Sequence, residues 1–331
     1  MAAPRQQRID PKSVPAPSKA KKSSKVGVRP PGAKARKARA GDWIVAARPQ
    51  TLALSIAPVA LGTAAAYVIT AEVGAVSWPW HRALLCLAVA IALQIGVNFA
   101  NDYSDGIRGT DKVRVGPARL TASGAAKPRT VLTVALVFFA LAAIAGIVLV
   151  VETQLWWLLA VGAVSIVAAW FYTGGKRPYG YYALGEFVAF VFFGLVATVG
   201  TSYVLAGEIP FDAWIAGAAI GFFASAALLV NNIRDREQDA LVRKRTLAVL
   251  LGNLGSRVLY AIFMLLPFVA LFWFSLLYIN APYAYFALLA AVPAVIITLF
   301  AKTPPELIIA LRLTSLTALG YALVLGWAIA F

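Results

Sequence analysis

The chain has 331 residues, 61% hydrophobic and only 13% charged, where soluble domains carry roughly 25% charged residues, so a water-soluble fold is excluded. Thirty Lys and Arg against 14 Asp and Glu give a net charge of +16. The basic residues lie between apolar runs without any nucleic-acid-binding module, which points to anionic lipid and an anionic substrate as partners and to no nucleic acid.

Residues 1–40 are rich in Lys, Arg, Pro, Ser and Ala. With almost no large apolar side chain, this segment cannot bury a core, and it is expected to be a disordered basic tail preceding a membrane domain over 41–331. It is not a secretory leader, because the first apolar run starts after position 43 and is too long. Uncharged runs then follow at 49–71, 83–101, 130–151, 153–175, 187–207, 213–233 and 313–331. The 44-residue run 258–301 divides near Asn280, Ala281 and Pro282. A spanning helix needs about 20 apolar residues, so the expectation is an all-α polytopic protein of nine transmembrane helices in a lipid bilayer. Pro58, Pro267 and Pro293 fall inside these runs, where membrane helices tolerate them. The lone Cys86 lies inside the second run, so there is no disulfide framework and no thiolate metal motif, only a packing thiol.

Lys and Arg set the expected orientation. In an alternating nine-helix topology 29 of the 30 fall on one side, and Arg82 alone on the other. That places the N terminus in the cytoplasm, the C terminus at Phe331 outside, and the protein in the plasma (inner) membrane.

Six of the 14 acidic residues cluster in two segments, Asp102, Asp105 and Asp111 in one and Asp235, Glu237 and Asp239 in the other. The first segment closes the second predicted helix and the other closes the sixth. An even number of intervening helices puts both on the cytoplasmic side, as expected for two parallel four-helix repeats with a ninth helix appended. On a helix, Asn98, Asp102 and Asp105 share one face, and Asn231, Asp235 and Asp239 repeat the pattern. Stacked carboxylates at the edge of hydrocarbon repel one another and call for a cation. Oxygen ligands without His or Cys fit Mg²⁺, which binds through one or two carboxylates, waters and substrate phosphates. The competing reading is pairing of these acids with Arg108, Arg114, Arg234 and Arg236 as loop ion pairs.

The segment NFANDYSDGIRGTD from Asn98 to Asp111, VGPARL from Val115 to Leu120, YTGGKRPYGYYALGE from Tyr172 to Glu186, and NNIRDREQD from Asn231 to Asp239 resemble the signatures of the UbiA superfamily of intramembrane prenyltransferases. The resemblance covers most of 41–331 and is strongest to the branch that prenylates 1,4-dihydroxy-2-naphthoate in menaquinone synthesis. Ala47, Arg48 and Pro49 at the entry to the first helix also fit. The sequence departs from the general family pattern at Gly106, where a carboxylate is usual, so Asp105 or Asp111 takes that place.

The resemblance implies Mg²⁺-dependent transfer of a chain from polyprenyl diphosphate to 1,4-dihydroxy-2-naphthoate with loss of CO₂, giving demethylmenaquinone. It implies catalytic roles for Asp102, Asp105, Asp111, Asp235 and Asp239, with Asp102, Asp105, Asp235 and Asp239 as metal ligands. Arg119, Lys176 and Lys244 match diphosphate-binding loop positions, Arg177 and Arg48 could do the same or hold the acceptor's carboxylate, and Asn98, Asn101 and Asn231 join the substrate site. Tyr172 is the aromatic face expected beside an allylic cation. The only histidine, His81, lies beyond the opposite membrane face, out of reach of this site. Two alternatives are another acceptor within the same superfamily, such as 4-hydroxybenzoate, haem or a chlorin, and a secondary transporter. Transport is disfavoured because the predicted helix centres hold almost no ionisable residues.

Overall fold

The computed structural model describes residues 36–72, 78–110 and 119–331, so Asp111 and Arg114 lie outside the described residues. Residues Arg36–Phe331 form one compact helical unit. A short surface helix α1 (Ala40–Ala46) precedes α2 (Pro49–Glu72), α3 (Trp80–Arg108), α4 (Pro128–Thr153) and α5 (Leu158–Phe171). Then come α6 (Gly185–Ala206), α7 (Phe211–Leu241), α8 (Leu247–Leu277), α9 (Ala281–Phe300) and α10 (Pro304–Ala330). The chain is a multi-pass membrane protein: eight of these helices are long and apolar enough to cross a bilayer.

Nine apolar runs therefore yield nine helices, but the fourth is shorter than its run. The expected span over 153–175 is helical only from Leu158 to Phe171, 14 residues, about 21 Å at 1.5 Å per residue against a hydrocarbon core of ~30 Å. Gln154, which caps the end of α4, and Gly175, in the loop after α5, both take a left-handed conformation. An absence of charge across 153–175 concealed both breaks. The predicted division of the 258–301 run falls where expected, between α8 and α9. Pro58, Pro267 and Pro293 each lie inside a helix; the one interruption of α8 is at Gly252, whose φ of 70° is not helical, and not at Pro267.

The Ala38 N–H donates to the Ala125 carbonyl at 2.9 Å, and Arg36 pairs with Asp42 at 2.8 Å, so residues 36–40 belong to the folded unit.

Small residues set the helix spacing. A Cβ on Gly62 would lie 2.3 Å from the Thr198 carbonyl oxygen, which brings α2 against α6. Gly194 meets the backbone of Gly217 and Gly221 in the same way, joining α6 to α7. Without a hydrophobic force between helices in lipid, such close backbone approach is what holds them. A large core of α2, α7, α8, α9 and α10 is built around Phe223, Tyr260, Phe274 and Tyr321. On the opposite side, α2 to α7 surround a cavity of about 540 Å³. At one end it is lined by the C-terminal turns of α3 and α7.

Candidate active site

Helix α3 brings a polar face down one side of this cavity: Gln94, Asn98, Asn101 and Asp105 all line it. These positions are spaced i, i+4, i+7 and i+11, one stripe on a helix. The inner members are fixed by hydrogen bonds. Asn98 Nδ2 donates to the Ala47 carbonyl at 2.9 Å, and Gln94 Nε2 to Thr51 Oγ1 at 3.0 Å. Thr173 Oγ1 donates to Asn101 Oδ1 at 2.7 Å, tying the loop after α5 to this face. The helix stops at Gly109, whose left-handed backbone lets its N–H return to the Asp105 and Gly106 carbonyls.

Asp105 is the hub. It is 3% exposed. Arg119 Nη1 donates to Oδ2 at 2.9 Å and to the Asn101 carbonyl at 2.9 Å, while Tyr181 Oη donates to Oδ1 at 3.1 Å. Arg108 and Lys244 lie over the Tyr181 ring, 5.5 and 5.4 Å from its centre. Arg108 also donates to the Thr173 and Gly175 carbonyls, which pins the 172–186 loop.

Helix α7 supplies the facing wall through Asn231, Asn232, Asp235, Gln238 and Asp239. Each carboxylate here also has its own cation: Arg234 bonds both oxygens of Asp235 at 2.8 Å, and Lys244 Nζ lies 3.3 Å from Asp239 Oδ1. Asn232 Nδ2 donates to the buried Glu186 at 2.8 Å. Burial works against the charge on Lys244, but the carboxylates of Asp239 and Asp105 outweigh it and hold its pKa above the usual lysine value. Burial raises Tyr181, with the Asp105 charge adding to it, and raises Tyr172, helped by the charge of Glu186. Both phenols therefore stay neutral.

Most expected site residues converge at this end of the cavity: Arg48, Asn98, Asn101, Asp105, Arg119, Tyr172, Asn231, Asp235, Asp239 and Lys244 all line it. Three expected features are placed differently. Asp102 does not line the main cavity. Its oxygens accept the Leu120 and Thr121 backbone N–H groups at 2.8 and 2.9 Å, and it borders a smaller adjoining pocket with Arg48, Arg119 and Arg234. The cavity stripe is centred between Asn98 and Asn101, so Asp102 falls on its flank, against the 119–126 turn. Lys176 and Arg177 are exposed and outside the cavity, because the left-handed turn at Gly175 carries them outward. Nor do the acids form one stacked clamp: among the described residues no three His, Cys, Asp or Glu side chains come close enough together to hold a metal by themselves. Mutual repulsion separates them, and the nearby Arg and Lys supply each with a partner.

The sequence reading missed Gln94, Asn232 and Gln238 as lining residues. Gln94 was detectable, since it extends the Asn98 stripe by one turn. Asn232 and Gln238 stood inside the second motif, but their facing was open until α7 was placed. Tyr181 was also missed: it bridges Asp105, Arg108 and Lys244.

This chain belongs to the UbiA prenyltransferase family, which matches residues 58–316. A 1,4-dihydroxy-2-naphthoate octaprenyltransferase of Mycobacterium tuberculosis is 46% identical to it over 297 residues, 88% of this chain and 97% of that protein. Among solved structures, the apo structure of a UbiA homolog from Aeropyrum pernix K1 has the same fold, with a TM-score of 0.63 at 14% identity, covering 82% of this chain and 97% of that one. A UbiA homolog from Archaeoglobus fulgidus bound to DMAPP and Mg²⁺ superposes with a TM-score of 0.56 at 14% identity, over 87% of this chain and 99% of that one.

Proposed function

We propose that this protein is an intramembrane enzyme that transfers a polyprenyl chain from polyprenyl diphosphate to 1,4-dihydroxy-2-naphthoate. The observation that carries this reading is 46% identity along 97% of a relative with that activity. The cavity suits the chemistry: ionic at one end, apolar along the rest, and set among membrane-spanning helices.

The donor set at the ionic end fits Mg²⁺. It consists only of oxygens, from Asp105, Asp235 and Asp239, and the buried Gln238 Oε1 in the same wall has no hydrogen-bond partner among the described residues. Asp235, Asp239 and Gln238 from α7 and Asp105 from α3 would hold the ion only together with oxygens of the bound diphosphate, whose charge it would neutralise. Arg119 and Lys244 bind diphosphate oxygens, the first by paired N–H groups and the second as a compact charge. The allylic C–O bond breaks and its electron pair departs with the diphosphate. Tyr172 and the apolar walls exclude water from the resulting cation. Arg48 holds the acceptor's carboxylate near the ring carbon that attacks. Because that carbon carries the carboxylate, CO₂ leaves and its bonding electrons restore the aromatic ring. No ring proton has to be removed, and the site accordingly needs no histidine base. The product is the reduced form of demethylmenaquinone.

In this reading the chain crosses the plasma (inner) membrane nine times, α5 included. The helices form two parallel four-helix repeats, α2–α5 and α6–α9, with α10 appended. The N terminus and the ionic end of the cavity face the cytoplasm, with the C terminus outside.

The test is turnover by the purified protein in lipid nanodiscs, using labelled polyprenyl diphosphate and a panel of aromatic acids with Mg²⁺ or EDTA. Prenylated product and released CO₂ from dihydroxynaphthoate, dependent on Mg²⁺, are expected. Turnover of 4-hydroxybenzoate with none of dihydroxynaphthoate would overturn the acceptor assignment.

A further inference from the structure

Helix α10 carries one charge on the face it turns to lipid. Its exposed residues Ile309, Arg312, Leu316, Leu323 and Trp327 fall at i, i+3, i+7, i+14 and i+18, one side of the helix. The other side, with Leu311, Thr314, Ala318, Tyr321 and Leu325, is buried against the bundle. Four of the five exposed side chains are apolar, as contact with acyl chains requires, and Ile309 and Leu316 flank the arginine at 49% and 58% exposure. Among the described residues Arg312 has no hydrogen bond or ion pair. An ionisable side chain facing lipid is costly unless it finds a counter-charge, so its depth decides what that charge can be.

Helix geometry sets that depth. Fifteen residues separate Arg312 from Trp327 and 19 separate it from Phe331, about 22 and 28 Å along the axis. With aromatic residues at the far interface and a hydrocarbon core of ~30 Å, Arg312 stands just inside the near edge of that core. This is the edge shared with the ionic groups, because Ile308 and Leu311, one turn and one residue before it, border the small pocket of Arg48, Asp102, Arg119 and Arg234. Side chains lean toward the N terminus of their helix, so the guanidinium rises from this point to the level of lipid phosphates while its methylenes stay among acyl chains. Val45 borders the same small pocket, which sets α1 beside the first turns of α10. Ile44 and Val45 on that surface helix are 62% and 50% exposed, an apolar shelf at the membrane edge next to an unpaired cation.

We propose that Arg312 and the exposed apolar residues of α10 and α1 form a docking site for one anionic glycerophospholipid, with the headgroup phosphate on the guanidinium and acyl chains along Ile309 and Leu316, beside Ile44 and Val45. The planar guanidinium matches two phosphate oxygens at once. A zwitterionic lipid brings the same phosphate with a cation of its own beside it, so net attraction selects the anionic headgroup. Free phosphate has no acyl chains and leaves the apolar shelf uncovered. The net charge of +16 draws anionic lipid to the protein in general; Arg312 gives one such lipid a fixed position. The site requires only that α10 crosses the bilayer and is independent of which donor and acceptor the cavity takes.

The experiment is native mass spectrometry of the full chain released from nanodiscs of mixed phosphatidylglycerol and phosphatidylcholine, with Arg312→Gln, Arg312→Leu and Arg312→Lys alongside the unaltered protein. The ratio of the two lipids retained is read within each sample, so it does not depend on the fraction of folded protein. The unaltered chain should retain one phosphatidylglycerol in preference to phosphatidylcholine. Arg312→Gln and Arg312→Leu should lower that preference by about tenfold, the loss of a charge-assisted phosphate contact, and Arg312→Lys should keep part of it because an ammonium lacks the planar fork. Arg129→Gln removes an exposed cation from the first turn of α4 and should leave the preference unchanged. Phosphatidylglycerol carrying a photoreactive diazirine on its acyl chain should label peptides covering residues 309–316. Equal retention of the two lipids by the unaltered chain, an unchanged preference in Arg312→Gln, an equal loss in Arg129→Gln, or labelling confined to other helices would each overturn the proposal.

Discussion

Asp102→Asn separates two roles that sequence alone assigns to the same carboxylate. In the structure Asp102, 2% exposed, accepts the backbone N–H groups of Leu120 and Thr121 at 2.8 and 2.9 Å. Asparagine keeps one acceptor oxygen and turns an NH₂ toward the other N–H. One charge-assisted hydrogen bond is lost, and a buried donor then faces another donor. At about 1.5–3 kcal/mol for a hydrogen bond to a charged group, the closed state of the 119–126 turn should lose roughly 10- to 150-fold in population relative to open states. Arg119 begins that turn and reaches Asp105, so donor affinity should fall with it. Hydrogen exchange of the nanodisc-embedded protein should accelerate at residues 120–126, and KM for the diphosphate donor should rise, while the Mg²⁺ concentration for half-maximal rate stays within about twofold. Unchanged exchange together with a tenfold or greater increase in the Mg²⁺ requirement would refute this reasoning and make Asp102 a metal ligand.

Asp239→Asn should raise the Mg²⁺ requirement by about tenfold or more, with membrane insertion unaltered, as followed by Mg²⁺ titration and membrane fractionation. Arg119→Ala removes the cation 2.9 Å from Asp105 and should raise donor KM by about 10- to 100-fold, with Arg119→Lys recovering only part of it because lysine cannot bond Asp105 and the Asn101 carbonyl together. Arg257→Ala, remote from the cavity, removes donors to the Thr298, Leu299 and Ala301 carbonyls that hold the end of α9 to α8. It should cost about 2 kcal/mol in thermal stability and leave Mg²⁺ dependence unchanged. EDTA should abolish turnover and added Mg²⁺ should restore it, without a change in the protein's thermal unfolding large enough to account for the loss.

The sequence by itself determined the membrane class, the division into nine helices and the chemical character of the site. Apolar run length is matched to bilayer thickness, and each membrane helix satisfies its own backbone hydrogen bonds, so existence and rough extent follow from local composition. The two Asn/Asp motifs were legible for a related reason: carboxylates beside hydrocarbon are costly enough to require a purpose. Facing and pairing were not local properties. Helical spacing grouped Asn98, Asp102 and Asp105, yet only the packed position of α3 against the 119–126 turn separated Asp102 from the cavity stripe. The charge-free run 153–175 hid the ends of α5, because the left-handed residues Gln154 and Gly175 carry no hydropathy signal. Tyr181 acquired its role from the convergence of Asp105 and Arg108 at the end of α3 with Lys244, segments far apart in the chain. Close helix contacts are the same kind of case: nothing in sequence distinguishes Gly62, where α6 fills the space a side chain would take, from Gly146, where that space is open.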